Sequence, residues 1–86
     1  MSATEEQARQ WQAAFGARLR KLRQAAGLSQ MQLAEAADLH ATYVSSVEGG
    51  RRNVSLVNIH MLADALSVHP AHLLQGRPGR GPRDGE

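Results

Sequence analysis

Helix start and stop signals crowd the middle of this chain so densely that only short helices fit between them. Ser29 is an N-cap with Gln32 at N3, a capping box, and Leu28 and Leu33 form a hydrophobic staple around it. Asp38 and then His40 follow within a few residues, so the helix opened at Ser29 must stop near Ala37 and the next must begin near Ala41. The Gly49-Gly50-Arg51-Arg52-Asn53 stretch is a loop. Ser55 then caps another helix, with Val54 and Ile59 as its staple, and Pro70 sits at N1 of a last short one capped by His69. This punctuation predicts helices over about 30–37, 41–48, 56–66 and 70–74.

The N-terminal part is different. Trp11, Phe15, Leu19, Leu22 and Ala26 recur at steps of three and four, an apolar stripe that predicts one long amphipathic helix from about Glu6 to Ala26. Gly27 ends it, because glycine tolerates the left-handed C′ conformation. In the short helices the expected inward residues are Met31 or Leu33 with Ala34, then Val44 and Val47, then Ile59, Leu62, Ala63 and Leu66. Alanine is abundant and no segment alternates apolar and polar residues for long, so the predicted fold class is all-α, a compact five-helix bundle. Residues 1–5 read as a flexible N-terminus and 6–75 as one domain. Six of the eleven residues in 76–86 are Gly or Pro, so this stretch reads as a flexible Arg/Gly/Pro tail.

Composition narrows the function. At 86 residues the chain makes one domain at most, and a core that small rarely leaves room for a pocket with positioned catalytic groups; no enzyme is expected. There is no cysteine, hence no disulfide framework and no thiolate metal site. Trp11, Phe15 and Tyr43 are the whole aromatic set, too few for a platform that stacks single-stranded bases. No apolar run approaches the roughly 20 residues of a membrane span, and the polar start carries no secretory signal, so a cytoplasmic protein is expected. His69 and His72 are three apart but lack a third ligand, and neither metal nor cofactor is expected.

The formal charge is only +2, yet it is unevenly placed. Residues 16–56 carry Arg18, Arg20, Lys21, Arg23, Arg51 and Arg52 against Glu35, Asp38 and Glu48, net +3. A basic middle points to a polyanion partner, though ordinary solvated arginines would give the same count. Two short helices joined by a tight turn outline a helix-turn-helix. Ala34 is small where the helices would cross, Asp38 lies in the turn, and Val44 and Val47 anchor the second helix. Its other face, Ala41, Thr42, Ser45 and Ser46 with Tyr43 at the edge, is short and mostly polar. Such a face can approach base edges in a major groove about 12 Å wide.

The stretch LRKLRQAAGLSQMQLAEAADLHATYVSSVEGGRRNVSL resembles the Cro/CI-type (XRE) helix-turn-helix family, with its phage-repressor-like five-helix fold. Within it, HATYVSSVE followed by RRN and a short capped helix is similar to the controller proteins of restriction–modification systems. The resemblance covers about residues 15–75. It implies that Gln30 touches a DNA phosphate and that Ala41, Thr42, Ser45 and Ser46 face bases. It implies further that Tyr43 reaches the DNA and that Arg51, Arg52 and Asn53 contact backbone or groove. Arg23 and Glu48 match an internal ion pair, which would offset a carboxylate placed at the unfavourable end of a helix dipole. Three positions depart from the family pattern: Asp38 stands where glycine is usual, His40 where Ser or Thr caps, and Ala41 where many members carry a long polar residue.

The implied function is a prokaryotic, nucleoid-associated transcription regulator on double-stranded DNA, with RNA polymerase as a further partner. A homodimer on a near-palindromic operator follows from the family. Its interface is made by the fourth and fifth helices, here Leu56, Ile59, His60, Ala63, Val68, His69 and Leu73, some of which must be core. Two alternatives use the same fold: an antitoxin-like or anti-repressor-type module that holds a protein partner, and a helical adaptor without DNA activity.

Overall fold

A computed structural model describes residues 2–76. Residues 77–86 of the expected tail lie outside the described residues. Among the described residues five helices account for the secondary structure: α1 (Glu5–Ala25), α2 (Gln30–Ala37), α3 (Ala41–Glu48), α4 (Leu56–Leu66) and α5 (Pro70–Leu73). The short helices keep the expected boundaries to within a residue. The long one starts earlier than Glu6, because Thr4 caps it. The Thr4 side chain accepts from the Gln7 N–H at 3.0 Å, and the Gln7 side chain accepts from the Thr4 N–H at 2.9 Å. Glu5 and Glu6 in the first turn complement the dipole. Thr4 and Glu5 are thus part of the helical unit rather than of a flexible leader.

One device ends all four longer helices. Gly27, Asp38, Gly50 and Ser67 have φ of 74°, 59°, 78° and 58°, the left-handed region. After each of them an N–H reaches back five residues: Leu28 to Arg23, Leu39 to Ala34, Arg51 to Ser46 and Val68 to Ala63. These are Schellman motifs, which satisfy orphan carbonyls and turn the chain sharply. Leu28, Leu39 and Val68, just past the turn, pack against the core. Asp38 and Ser67 adopt a conformation that costs an L-residue roughly 1–2 kcal/mol, with Asp among the more tolerant types.

The core joins every helix. Leu19, Leu33, Val44, Leu62, Ala63 and Leu73 are fully buried, with Phe15, Ala34, Ala37, Val47 and Leu66 beside them. Leu33 is therefore the inward residue of α2, whereas Met31 is 72% exposed. Ile59 is only half-buried. Ala63 is core, as its place in the α4 stripe predicts, and so is Leu73, which α5 brings in as it packs back on α4; neither is free for the dimer interface to which both were also assigned above. Trp11 is 54% exposed although it continues the stripe of Phe15 and Leu19. The reason is length, since 21 residues span about 31 Å. The other helices cover only the middle turns of α1, around Phe15, Gly16 and Leu19, and Ala26 just past its far end is exposed as well.

Gly16 sets how closely α1 approaches α3. It is buried, and a Cβ there would overlap the Val47 carbonyl oxygen and lie 2.9 Å from that of Glu48. Backbone meets backbone at this crossing. At the same level Gly50 passes the Ala13 Cα, 3.1 Å from where its own Cβ would be. In an exposed helix Gly→Ala ordinarily stabilises, by about 0.5–1 kcal/mol. Here Gly16→Ala is expected to destabilise by about 2 kcal/mol or more, because α1 and α3 must separate. Urea denaturation of the variant checks the sign.

Candidate nucleic-acid interface

The α2–turn–α3 unit is built as a brace and a probe. The capping box at Ser29 opens α2: the Ser29 hydroxyl accepts from the Gln32 N–H at 3.0 Å, and the Gln32 side chain accepts from the Ser29 N–H at 2.8 Å. Asp38 takes the left-handed turn position that glycine usually fills. His40 precedes α3 without making a side-chain cap bond, so the free N–H groups at that helix start stay open. Val44 and Val47 lock α3 to the core. Thr42 is exposed and Ser45 and Ser46 are half-exposed on the opposite side, whereas the half-exposed Ala41 also packs against the core. Arg51, Arg52 and Asn53 follow, all exposed.

Tyr43 is held from two directions. Its hydroxyl accepts from Asn58 Nδ2 at 3.0 Å, and the Arg52 guanidinium lies 5.5 Å from its ring centroid. Arg52 Nε also donates to the Ser46 hydroxyl at 3.2 Å. The loop arginine therefore lies along α3, a cation–π contact adding about 0.5–1 kcal/mol at such an exposed site. Sequence alone placed Tyr43 at the edge of the face. It offered no signal for Asn58, which reads only as a polar residue in the first turn of α4.

The foot of α3 is anchored by a charged cluster. Arg23 grips Glu48 with Nε to Oε2 at 2.6 Å and Nη2 to Oε1 at 3.0 Å. Its third nitrogen donates to the Leu28 carbonyl at 2.7 Å, which ties the end of α1 to the start of α2. Gln30 Nε2 donates to Glu48 Oε1 at 3.0 Å. The resemblance assigned Gln30 to a phosphate; in the free protein its amide is committed to Glu48. The side chains of Arg23 and Glu48 are only 11% and 4% exposed.

These contacts set the charge state. Burial alone would push the Glu48 carboxyl up. Hydrogen bonds from Arg23 and Gln30, with the charges of Arg23 and Arg20, together outweigh it and hold the carboxyl below the usual range. The bond to Glu48 raises the Arg23 guanidinium against the opposing effect of burial. Arg18 is also spent internally, donating to the His72 carbonyl at 2.7 Å and to the Gln75 side chain at 3.0 Å. It fixes α5 on α1. Of the basic residues counted in the middle of the chain, Arg20, Lys21, Arg51 and Arg52 are exposed.

Among the residues expected at a dimer interface, Leu56 and His60 are exposed and Ile59 and Val68 half-exposed. His69 caps α5, its Nδ1 accepting from the Ala71 N–H at 3.0 Å. Its ring lies 6.5 Å from that of His72, and among the described residues no group of three or more His, Cys, Asp or Glu is placed to hold a metal. No described helix is long and apolar enough to cross a membrane.

Because Glu48 is depressed in the folded state, its pair contributes stability above the unfolded carboxyl value of about 4.3. That contribution is lost as pH falls through the lower folded value. Glu48→Gln is expected to cost about 2–4 kcal/mol at neutral pH, because Arg23 is left buried and unpaired. It should also flatten the loss of stability below about pH 4.5. Urea unfolding midpoints of both proteins from pH 3 to 7 check both parts.

The helix-turn-helix domain model matches residues 14–81. Control protein C.BamHI of Bacillus amyloliquefaciens is 48% identical over 61 residues, 70% of this chain and 75% of that protein. The crystal structure of the restriction–modification controller protein C.AhdI from Aeromonas hydrophila superposes with a TM-score of 0.71 at 55% identity, covering 72% of this chain and 94% of that one. A hypothetical transcription factor from Neisseria, NHTF, gives a TM-score of 0.75 at 38% identity over 80% of this chain and 78% of its own. The chain belongs to the helix-turn-helix domain family, among relatives that include restriction–modification control proteins.

Proposed function

We propose that this protein is a sequence-specific transcription regulator that binds double-stranded DNA as a homodimer, in the manner of a restriction–modification controller. One observation carries the reading: α3 is propped from behind by Val44, Val47 and the Arg23–Glu48 pair, and turns a small, polar, solvent-facing side outward. A helix presented in this way fits a major groove. Thr42 and the half-exposed Ser45 and Ser46 offer hydroxyls to base edges. Ala41 has no hydrogen-bonding side chain, and its methyl suits contact with a thymine methyl. Arg51, Arg52 and Asn53 lie where the backbone flanking the groove would run, and the open start of α3 favours a phosphate. Gln30 reaches a phosphate only by sharing or leaving Glu48.

Dimerisation is assigned to the α4–α5 side. Leu56, Val57 and Leu74 are 70%, 65% and 64% exposed there. Trp11 and Leu74 flank a shallow hollow over Phe15, and Val54 and Ile59 line the next one. Several large apolar groups on one side mark an interaction surface. Two-fold symmetry then places the two α3 helices on half-sites about 34 Å apart. Regulation proceeds by blocking or recruiting RNA polymerase at the bound promoter.

Selection from random duplexes is expected to return a near-palindromic site with that spacing. Retention of a protein partner with no preference among duplexes would instead favour an interaction module. On the selected site, Arg52→Ala should weaken binding and lower the salt-dependence slope by about one unit. Thr42→Ala should relax sequence preference more than it lowers affinity for random DNA. Gel shifts at several salt concentrations read both.

A further inference from the structure

The Asn58–Tyr43 contact has no part in the reading face as derived from sequence, and it crosses between two helices. Asn58 is N3 of α4, and its own N–H is tied to the Ser55 cap at 3.1 Å. Its backbone is therefore fixed at the helix start, and its side chain spans to α3. There Nδ2 donates to the Tyr43 hydroxyl at 3.0 Å. Arg52 covers the ring of the same tyrosine. The ring is thus held by its face and its hydroxyl by one edge.

The direction of that bond matters. A phenol oxygen that accepts a proton from an amide keeps its own O–H for another acceptor. Duplex DNA is rich in acceptors: phosphate oxygens and, in the major groove, guanine O6 and N7, adenine N7 and thymine O4. We infer that Asn58 is a positioning residue for DNA recognition, fixing the Tyr43 hydroxyl as an outward donor to a base acceptor in the major groove. The inference rests on α3 being the DNA-reading helix. Asn58 itself need not touch the duplex, and its effect passes through Tyr43. A residue that merely tied α4 to α3 would change stability, and all DNA affinities together. A positioning residue changes operator affinity alone, and only while the phenol is present.

The experiment uses the full chain, the duplex returned by selection and a random duplex of equal length. Asn58→Ala is expected to lower operator affinity about tenfold, the scale of one lost directional hydrogen bond, and random-duplex affinity less than about twofold. Tyr43→Phe should produce a similar loss, and adding Asn58→Ala to it should change operator affinity less than about twofold. Asn58→Asp supplies a carboxylate that accepts the phenol proton, so its operator-to-random ratio should fall at least as far as that of Asn58→Ala. Tyr43 is the sole tyrosine, so its ring resonances can be followed alone. They should move in Asn58→Ala while thermal unfolding shifts little. Asn58→Ser, too short to reach the phenol, repeats the measurement should the alanine variant unfold.

A wild-type protein with no preference among duplexes would overturn the proposed function and this inference with it. A wild-type protein that discriminates, beside an Asn58→Ala variant that discriminates equally well, would overturn the inference alone. So would equal losses on both duplexes, additive effects in the double variant, or an Asn58→Asp ratio equal to wild type.

Discussion

The seam between α1 and the end of α3 carries the rest of the structure. α3 has eight residues, about 12 Å of helix, too few to persist in water without tertiary support. Two contacts supply that support at its C-terminal end. Gly16 lets the α1 backbone reach the carbonyls of Val47 and Glu48, and Arg23 two turns later grips the Glu48 carboxylate. A carboxylate at that end of a helix is repelled by the dipole and disfavoured by burial. The bidentate guanidinium and the Gln30 amide reverse both effects. Since the same Arg23 donates to the Leu28 carbonyl, one side chain sets the mutual positions of α1, the start of α2 and the end of α3.

The helix ends do the complementary work. Four turns with a left-handed residue allow four helices to stop abruptly, and three of the four connections redirect the chain within three or four residues. A core of eleven buried apolar side chains can then be shared among the long helix and the short ones. Ending α2 at Asp38 and starting α3 at Ala41 leaves α3 braced on one side and open on the other. Tyr43 lies at the boundary of these two sides. Asn58 and Arg52 bring α4 and the preceding loop to it, so that the start of α4, the loop and α3 meet at one side chain.

Charge counted along the chain gives the net sign of the middle segment but not which side chains face solvent. Arg18 and Arg23 both belong to the basic middle, and both side chains are held by the protein, Arg18 by the His72 carbonyl and the Gln75 side chain and Arg23 by Glu48. Formal charge does not distinguish a cation facing solvent from one paired across a helix crossing. The side chains that count toward a polyanion are those the fold leaves exposed.

Much of the architecture was legible because it is local. Ser29 with Gln32, Gly27, Asp38, Ser55 and Pro70 act within four residues of themselves, so helix boundaries could be read from spacing alone. The same rule at Thr4 and Gln7 was equally available and shows that the capping signal extends to the first helix. The 3.6-residue period identified Val44, Val47, Leu62 and Leu66 as inward. Periodicity could not say where a partner helix ends, so it assigned Trp11 to a core that does not reach it and left Met31 and Leu33 unresolved. What only the tertiary structure decided lies between residues far apart in the chain: the closeness permitted by Gly16, the commitment of Gln30 to Glu48, the burial of Leu73 as α5 packs back on the core, and the bond from Asn58 to Tyr43. Caps and periods depend on neighbours a turn away, which the sequence states directly. Crossings depend on where two helices come to rest, and that is settled only when the whole core packs.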